Sequence, residues 1–453
     1  MGIKDLLITP VWLGIIYMIA YALKPAFTDL RIKRYFIPGL SVKIIGALSV
    51  GFIYQFYYGG GRPSGDTFAY FKDANVIFGA FWENPVAGIK LFLARGEVSP
   101  ETFQYANRMY WFNSPTEYFV IRVIALCSLL TFHSYAANAL LFAAISFSGI
   151  WAMYRAFYKL FPSLHKEFAI AMLFIPSVFF WGSGILKDTI TLGALGWATW
   201  AIVRIFFERK GVVVAGIVLF LSLYTIYSIK IYIVLCFLPA AILWVFLANA
   251  ERIKSVIVRI MILPFVLLIS GVLGYYAMLE IGEDNARYSL DKVSETAEIT
   301  ARYLTYVGES QGGSVYTLGE DYDFSLAGML RKFPLAVNVT LFRPYLWEAH
   351  NVVMLLSALE SFATLLLTLW VIYQAGLVNL IRYLLAKPII SFCLLFAIAF
   401  SFAVGISTYN FGSLVRYKIP MFPFYLAGLF ILRYLAQRKK IKPKRRTKVL
   451  VKP

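Results

Sequence analysis

The chain has 453 residues, 60% hydrophobic and 15% charged, with a mean hydropathy of +0.71 and a formal net charge of +19. So little polar surface excludes a water-soluble globule, and apolar runs of ~20 residues without period-2 alternation exclude a β-barrel. The basic residues fall in short inter-helix loops and a C-terminal tail, which points to cytoplasmic loops of an all-α polytopic membrane protein and excludes nucleic acid as a partner.

In chain order, hydropathy predicts spans near 6–24, 41–58, 136–158, 168–183, 189–207, 212–229, 231–249, 260–281, 351–375, 389–408 and 418–436, about 11 transmembrane helices. The first run lacks a small-residue cleavage site and is followed by Lys24-Pro25, so it is expected to be a retained span. Arg209-Lys210, Arg252-Lys254-Arg259, Arg382 with Lys387, and the tail from Arg438 to Arg446 belong on the cytoplasmic side. The run Tyr118–Phe132 is ambiguous. If it crossed, Arg31-Lys33-Arg34 would face outward against the charge bias, so it is predicted to be an interfacial or re-entrant element. The resulting organisation is N-terminal transmembrane helices (1–58), a first external loop (59–135), a transmembrane bundle (136–281), an acidic external loop (282–350) read as a helical lid, C-terminal transmembrane helices (351–436) and a basic cytoplasmic tail (437–453). Cys127, Cys236 and Cys393 lie far apart in apolar runs and form no CxxC pair.

The first external loop opens on a glycine-rich turn, Gly59 to Gly65, followed by Asp66-Thr67-Phe68-Ala69-Tyr70-Phe71-Lys72-Asp73-Ala74. Asp66, Tyr70 and Asp73 share one helix face, and a carboxylate at the membrane boundary can act as general base toward a hydroxyl. An aspartate there equally suits a helix N-cap. The glycine run lacks the Gly-Lys-Ser/Thr ending of a phosphate loop.

The pair Lys187-Asp188 stands beside hydrocarbon, where charge is costly unless it faces a wet cavity or other polar groups; the alternative is a cap beside a snorkelling lysine. Arg343, Trp347, Glu348 and His350 precede a span, where they suit either phosphate and sugar binding or an interfacial belt. Arg416 and Lys418, followed by Pro420 and Pro423, put cations at the external mouth of a late span, against the positive-inside bias. Glu360 lies inside a span and needs a partner. The histidines His133, His165 and His350 have no ligand-spaced partners, which argues against zinc.

In their joint order these motifs resemble the GT-C superfamily of integral-membrane glycosyltransferases, particularly the protein mannosyltransferases and lipid A aminoarabinose transferases. The carriers are Asp66-x-x-x-Tyr70-x-x-x-Ala74 in the first external loop, amphipathic segments at 83–95 and 118–132, Asp188 after the next two spans, and Arg416-Tyr417-x-x-Pro420-x-x-Pro423 near the end. Thr67 stands where the family has a second acidic residue, so a divalent metal at this loop is left open, and no other cofactor is expected. The resemblance implies a GT-C-like architecture, with amphipathic helices in the first external loop and a helical external lid. It also implies inverting transfer of a sugar from a polyprenyl-phosphate donor to a glycan, lipid or protein acceptor, on the outer face of a bacterial cytoplasmic membrane. Asp66 and Asp188 would be catalytic, and Tyr70, Asp73, Lys187, Arg343, Trp347, Glu348, His350, Arg416 and Lys418 would bind substrate. The competing expectations are a polysaccharide polymerase or O-antigen ligase using lipid-pyrophosphate glycans, and a lipid or solute transporter.

Overall fold

The computed structural model describes residues 2–250 and 331–441, with the isolated positions Arg302, Tyr306, Tyr316, Leu318 and Gly328. The expected span at 260–281, most of the expected acidic lid and the tail after Ile441 lie outside the described residues. The principal elements are α1 (Ile3–Phe27), α2 (Lys33–Phe52), α3 (Gly65–Glu83), α4 (Pro85–Leu93), α5 (Phe103–Ala106), α6 (Pro115–Thr131), α7 (Tyr135–Leu160), α8 (His165–Ala169), α9 (Pro176–Trp181), α10 (Lys187–Ile202), α11 (Val212–Asn249), α12 (Phe333–Phe342), α13 (Val352–Ala375), α14 (Leu377–Ala386), α15 (Pro388–Ser407), α16 (Phe411–Tyr417) and α17 (Phe422–Ile441). Among the described residues seven helices are long and apolar enough to cross a membrane, and α16 with α17, bent by 66°, would add an eighth. The chain is therefore a helical polytopic membrane protein, although these residues do not give the expected number of eleven.

Contacts between distant segments define two ends of the bundle. At one end the Tyr35 hydroxyl meets His165 Nδ1 at 3.0 Å, Trp151 Nε1 donates to Phe27 O at 3.2 Å, and Lys159 pairs with Glu208 at 2.6 Å. This is also the end of Arg31, Lys33, Arg34, Lys166, Arg209 and Lys210, and it is called the basic end below. At the other end Asp5 accepts from Ser134 Oγ at 2.6 Å, Thr67 meets the Tyr135 hydroxyl at 2.6 Å, and Tyr54 packs on Trp181.

Helix α11 is long enough, at ~57 Å if straight, to cross twice. It folds back at Lys230, whose φ of −147° and ψ of 75° leave the helical region. Lys230 reaches Asp188 at the start of α10, while Trp244 stacks on Phe207 at the far end of the same crossing. The two halves therefore return as the separate spans expected at 212–229 and 231–249.

Three expectations change. The segment 168–183 is not one helix: Pro176 cannot continue the hydrogen-bond ladder, Ile175 is extended (φ −72°, ψ 124°), and the crossing is broken between α8 with its π-helical extension and α9. The span expected at 418–436 begins only at Phe422, because the chain bends at Lys418–Met421 around Pro420. Finally, the last part of the expected lid is core: α12 packs on α15, with Thr340 Oγ1 donating to Ser401 O at 2.8 Å.

Helix α6 lies across one end of the bundle. Its first turn sets Glu117 beside Lys187, and it finishes where Phe132 and His133 (φ 50° and 56°) turn the chain into α7, next to Asp5. Both ends of the helix thus lie at the same end of the bundle. Beneath it α7 and α10 pack backbone to backbone: a Cβ on Gly149 would stand 1.9 Å from Gly193 O, and one on Gly196 would stand 2.2 Å from Gly149 O. Small residues permit this approach where no hydrophobic force separates helix from lipid.

Candidate functional site

Asp66 lies in the first turn of α3, and the turn before it depends on glycine. Gly65 has φ +69°, and a Cβ there would sit 2.3 Å from the Tyr54 ring. The Asp66 carboxylate does not cap its own helix. It accepts from Arg416 Nη1 at 2.9 Å, and its side chain is 45% exposed.

Arg416, in the last turn of α16, also donates through Nε to Asp188 Oδ2 at 2.6 Å. Asp188 is fully buried in the first turn of α10, and its other oxygen accepts from Lys230. One guanidinium therefore joins an exposed carboxylate to a sealed one, held from behind by a buried ammonium over the Tyr417 ring at 4.7 Å. Burying these charges is tolerable because each is paired and hydrogen-bonded.

Lys187, next to Asp188, points toward the loop: it pairs with Glu117 and donates to Thr116 Oγ1 at 3.1 Å. The snorkelling alternative is not what the geometry shows. Burial pushes the Glu117 carboxyl up, but Lys187 and the Ser114 and Thr116 hydroxyls outweigh it, and the net displacement is below the ordinary glutamate range. Arg416, Lys187 and Lys230 thus face Asp66, Asp188 and Glu117, a charge-balanced cluster open to solvent mainly at Asp66.

The other expected site residues are distributed differently. Tyr70 is buried edge-on against Trp111 at 6.0 Å, and burial pushes its hydroxyl well up, so it stays neutral. Asp73 is buried and accepts from the Trp111 backbone N–H at 2.7 Å; burial pushes its carboxyl up against the opposing pull of the Trp111 and Tyr110 amides. It holds the loop together and presents no free face to a ligand.

Arg343 is locked onto Glu348, with Nε 3.0 Å from both carboxylate oxygens, between the rings of Tyr316, Phe411 and Tyr345. Burial raises the Glu348 carboxyl, yet Arg343 and the Tyr345 amide bring it below its usual range. Trp347 is 77% exposed and stacks on Tyr345, and His350 is exposed. Lys418 is completely buried, donating to Ser361 Oγ at 3.1 Å, and so cannot meet a ligand as placed.

Sequence reasoning missed three participants. Lys230 stands visibly between two apolar runs, and Glu117 immediately precedes the ambiguous run Tyr118–Phe132, but neither was joined to the site. Lys43, 1% exposed within α2, donates to Gly182 O at 2.7 Å, Val178 O at 3.3 Å and Ser146 Oγ at 3.1 Å. It thereby satisfies carbonyls at the C-terminus of α9, while Glu360 from α13 accepts from the Ser177 N–H at 2.8 Å at the N-terminus. Side chains from two other helices thus finish both ends of this short helix, which leads directly into Lys187-Asp188.

The cluster does not fit a divalent metal. Both Asp188 oxygens and one of Asp66 already accept from cations, and among the described residues no three His, Cys, Asp or Glu side chains converge. Comparison of the chain with family models, curated proteins and solved structures found no match.

Proposed function

We propose that this protein is a membrane glycosyltransferase that moves a sugar from a polyprenyl-phosphate donor to a hydroxyl on a glycan, lipid or protein acceptor. The observation that carries the reading is the convergence of an exposed carboxylate, Asp66, on an arginine fixed by a buried counter-charge. Transfer needs a base for the acceptor and a cation for the leaving phosphate, meeting where a lipid tail can stay in the bilayer. The donor phosphate takes the Arg416 Nη1 donor, and Asp66 is released to accept the acceptor proton. The acceptor oxygen then bonds the anomeric carbon from the face opposite the departing phosphate, which leaves with the bonding pair. Asp188, expected to be catalytic, acts on this geometry as a positioning residue because both its oxygens are occupied. The substrate roles expected for Arg343, Glu348, Trp347 and His350 lie in the neighbouring locked pair and its exposed rim.

Orientation follows from charge. The cluster lies at the end opposite the basic loops, so the positive-inside bias turns it to the outer face of a cytoplasmic membrane. An ionisable residue inside a span is what a transporter would use, but Glu360 holds α9 through one oxygen, while its other oxygen is buried with no hydrogen-bond partner among the described residues.

The test is transfer of labelled sugar by the purified chain in vesicles, offered a panel of polyprenyl-phosphate sugars and, separately, lipid-pyrophosphate glycans. Transfer from a monophosphate donor is expected. Transfer from pyrophosphate-linked glycans alone would replace this reading with a polymerase or ligase, and transfer from neither would reject both.

A further inference from the structure

Away from the charged cluster, α1 and α10 both pack on α7 and leave a cleft between them, floored by α7 and α2, with a cavity of about 480 Å³. It is walled by Trp12 and Ile16 from α1, Phe147 and Trp151 from α7, and Trp197 and Trp200 from α10. Two of its indole N–H groups are turned to protein acceptors: Trp197 Nε1 donates to Ser148 Oγ at 3.1 Å and Trp151 Nε1 to Phe27 O at 3.2 Å. The cleft runs from Leu141 to Arg155 along α7, ~21 Å of helix, which is the scale of one leaflet rather than of the whole bilayer.

Its polar landmark is at the basic end. Arg155 lines the cleft, lies over the Phe27 ring at 5.4 Å, and is within electrostatic reach of Arg204, Glu208 and Asp29. Glu208 is already paired with both Lys159 and Arg204, at 2.6 Å each, and Asp29 accepts from the Arg31 N–H at 2.8 Å. Arg155 therefore combines an apolar slot with a guanidinium at headgroup depth, the arrangement that a single-chain slot for a phosphodiester lipid requires.

We propose that this cleft is a binding site for one anionic phospholipid of the leaflet at the basic end, its phosphate on Arg155 and one acyl chain along the tryptophan-lined slot. The site is separate from the charged cluster and does not depend on the transferase reading. A neutral lipid would fill the same slot, but it offers the guanidinium a zwitterionic headgroup instead of a net negative charge.

Native mass spectrometry of the full chain, extracted from vesicles of phosphatidylcholine doped with phosphatidylglycerol, tests it. One retained phosphatidylglycerol is expected, enriched about five-fold over its share of the vesicle, the effect of one basic side chain near a membrane surface. Arg155→Gln should abolish the enrichment and Arg155→Lys should keep most of it. Ala144→Phe, which puts a ring into the slot, should lose the retained lipid in wild-type and Arg155→Lys backgrounds alike. Equal retention of both lipids, or enrichment unchanged in Arg155→Gln, would overturn the proposal. So would cross-linking of Ser148→Cys between two copies, since the cleft would then be a protein interface.

Discussion

The charged residues of the cluster differ in what they can do because they differ in exposure. Asp66 is reached by solvent and held by one bond, so Asp66→Asn should leave the fold intact and remove the base. Asp188 is sealed between Arg416 and Lys230. Asp188→Asn leaves the buried Lys230 without its counter-charge and Arg416 with Asp66 alone, and should cost about 3–5 kcal/mol, seen as a large fall in thermal midpoint that Asp66→Asn does not share. Glu117 sets a pH dependence. Its folded carboxyl lies below the ordinary glutamate range, so its pairing with Lys187 contributes stability that is fully present above that range and is lost as pH falls through the lowered folded value. Melting curves of wild type and Glu117→Gln should therefore differ at neutral pH and converge in acid. Sequence made Asp66, Asp188 and Arg416 legible one at a time, because each stands in a polar break between apolar runs. Their meeting was not legible: Arg416 is 228 residues from Asp188 and 350 from Asp66. Asp73 shows the opposite failure, since helical periodicity set it beside Asp66, yet the returning loop brings Trp111 over it.

At the scale of elements, the placement of Asp188 depends on α9, which is too short to hold itself. Glu360 and Lys43 complete its two ends from α13 and α2. Lys43→Met leaves the Gly182 and Val178 carbonyls without that donor. We expect it to lower stability by about 1–3 kcal/mol and to reduce turnover, while Lys43→Arg restores part of both. Close packing supplies a second prediction: Gly149→Val drives a side chain into Gly193 O and should destabilise the α7–α10 pair by at least about 1–3 kcal/mol, measurable in thermal melts in detergent. Hydropathy found α1, α2, α7, α10, α13 and α15 because each is a long apolar run. It misjudged 168–183 because apolar side chains continue through Ile175-Pro176 while the backbone does not. It also divided α11 at the right residue without indicating that Lys230 turns back onto Asp188.

Over the whole molecule, two ends of opposite character organise the account. Basic residues gather at one end, and at the other an acid-base cluster built around buried Asp188 gathers beside Asp66. Helix α6 illustrates the link between these levels. Its composition is poor for a crossing, its two ends lie on one side of the bundle, and its first turn supplies Glu117 to Lys187. A short apolar helix lying across the bundle thus keeps the loop on the same side as Asp66 and gives the cluster one of its walls.

The measurement that tests the central claim most directly is a comparison of donor binding and single-turnover transfer in wild type and Asp66→Asn, using the polyprenyl-phosphate sugar that the wild type accepts. With Asp66 as the base, transfer should fall by about 10²–10⁴-fold while donor affinity is unchanged or tightened, because Arg416 is freed for the phosphate. Transfer at the wild-type rate by the asparagine variant, with the donor still bound, would contradict the assignment of Asp66 and with it the mechanism built on the cluster.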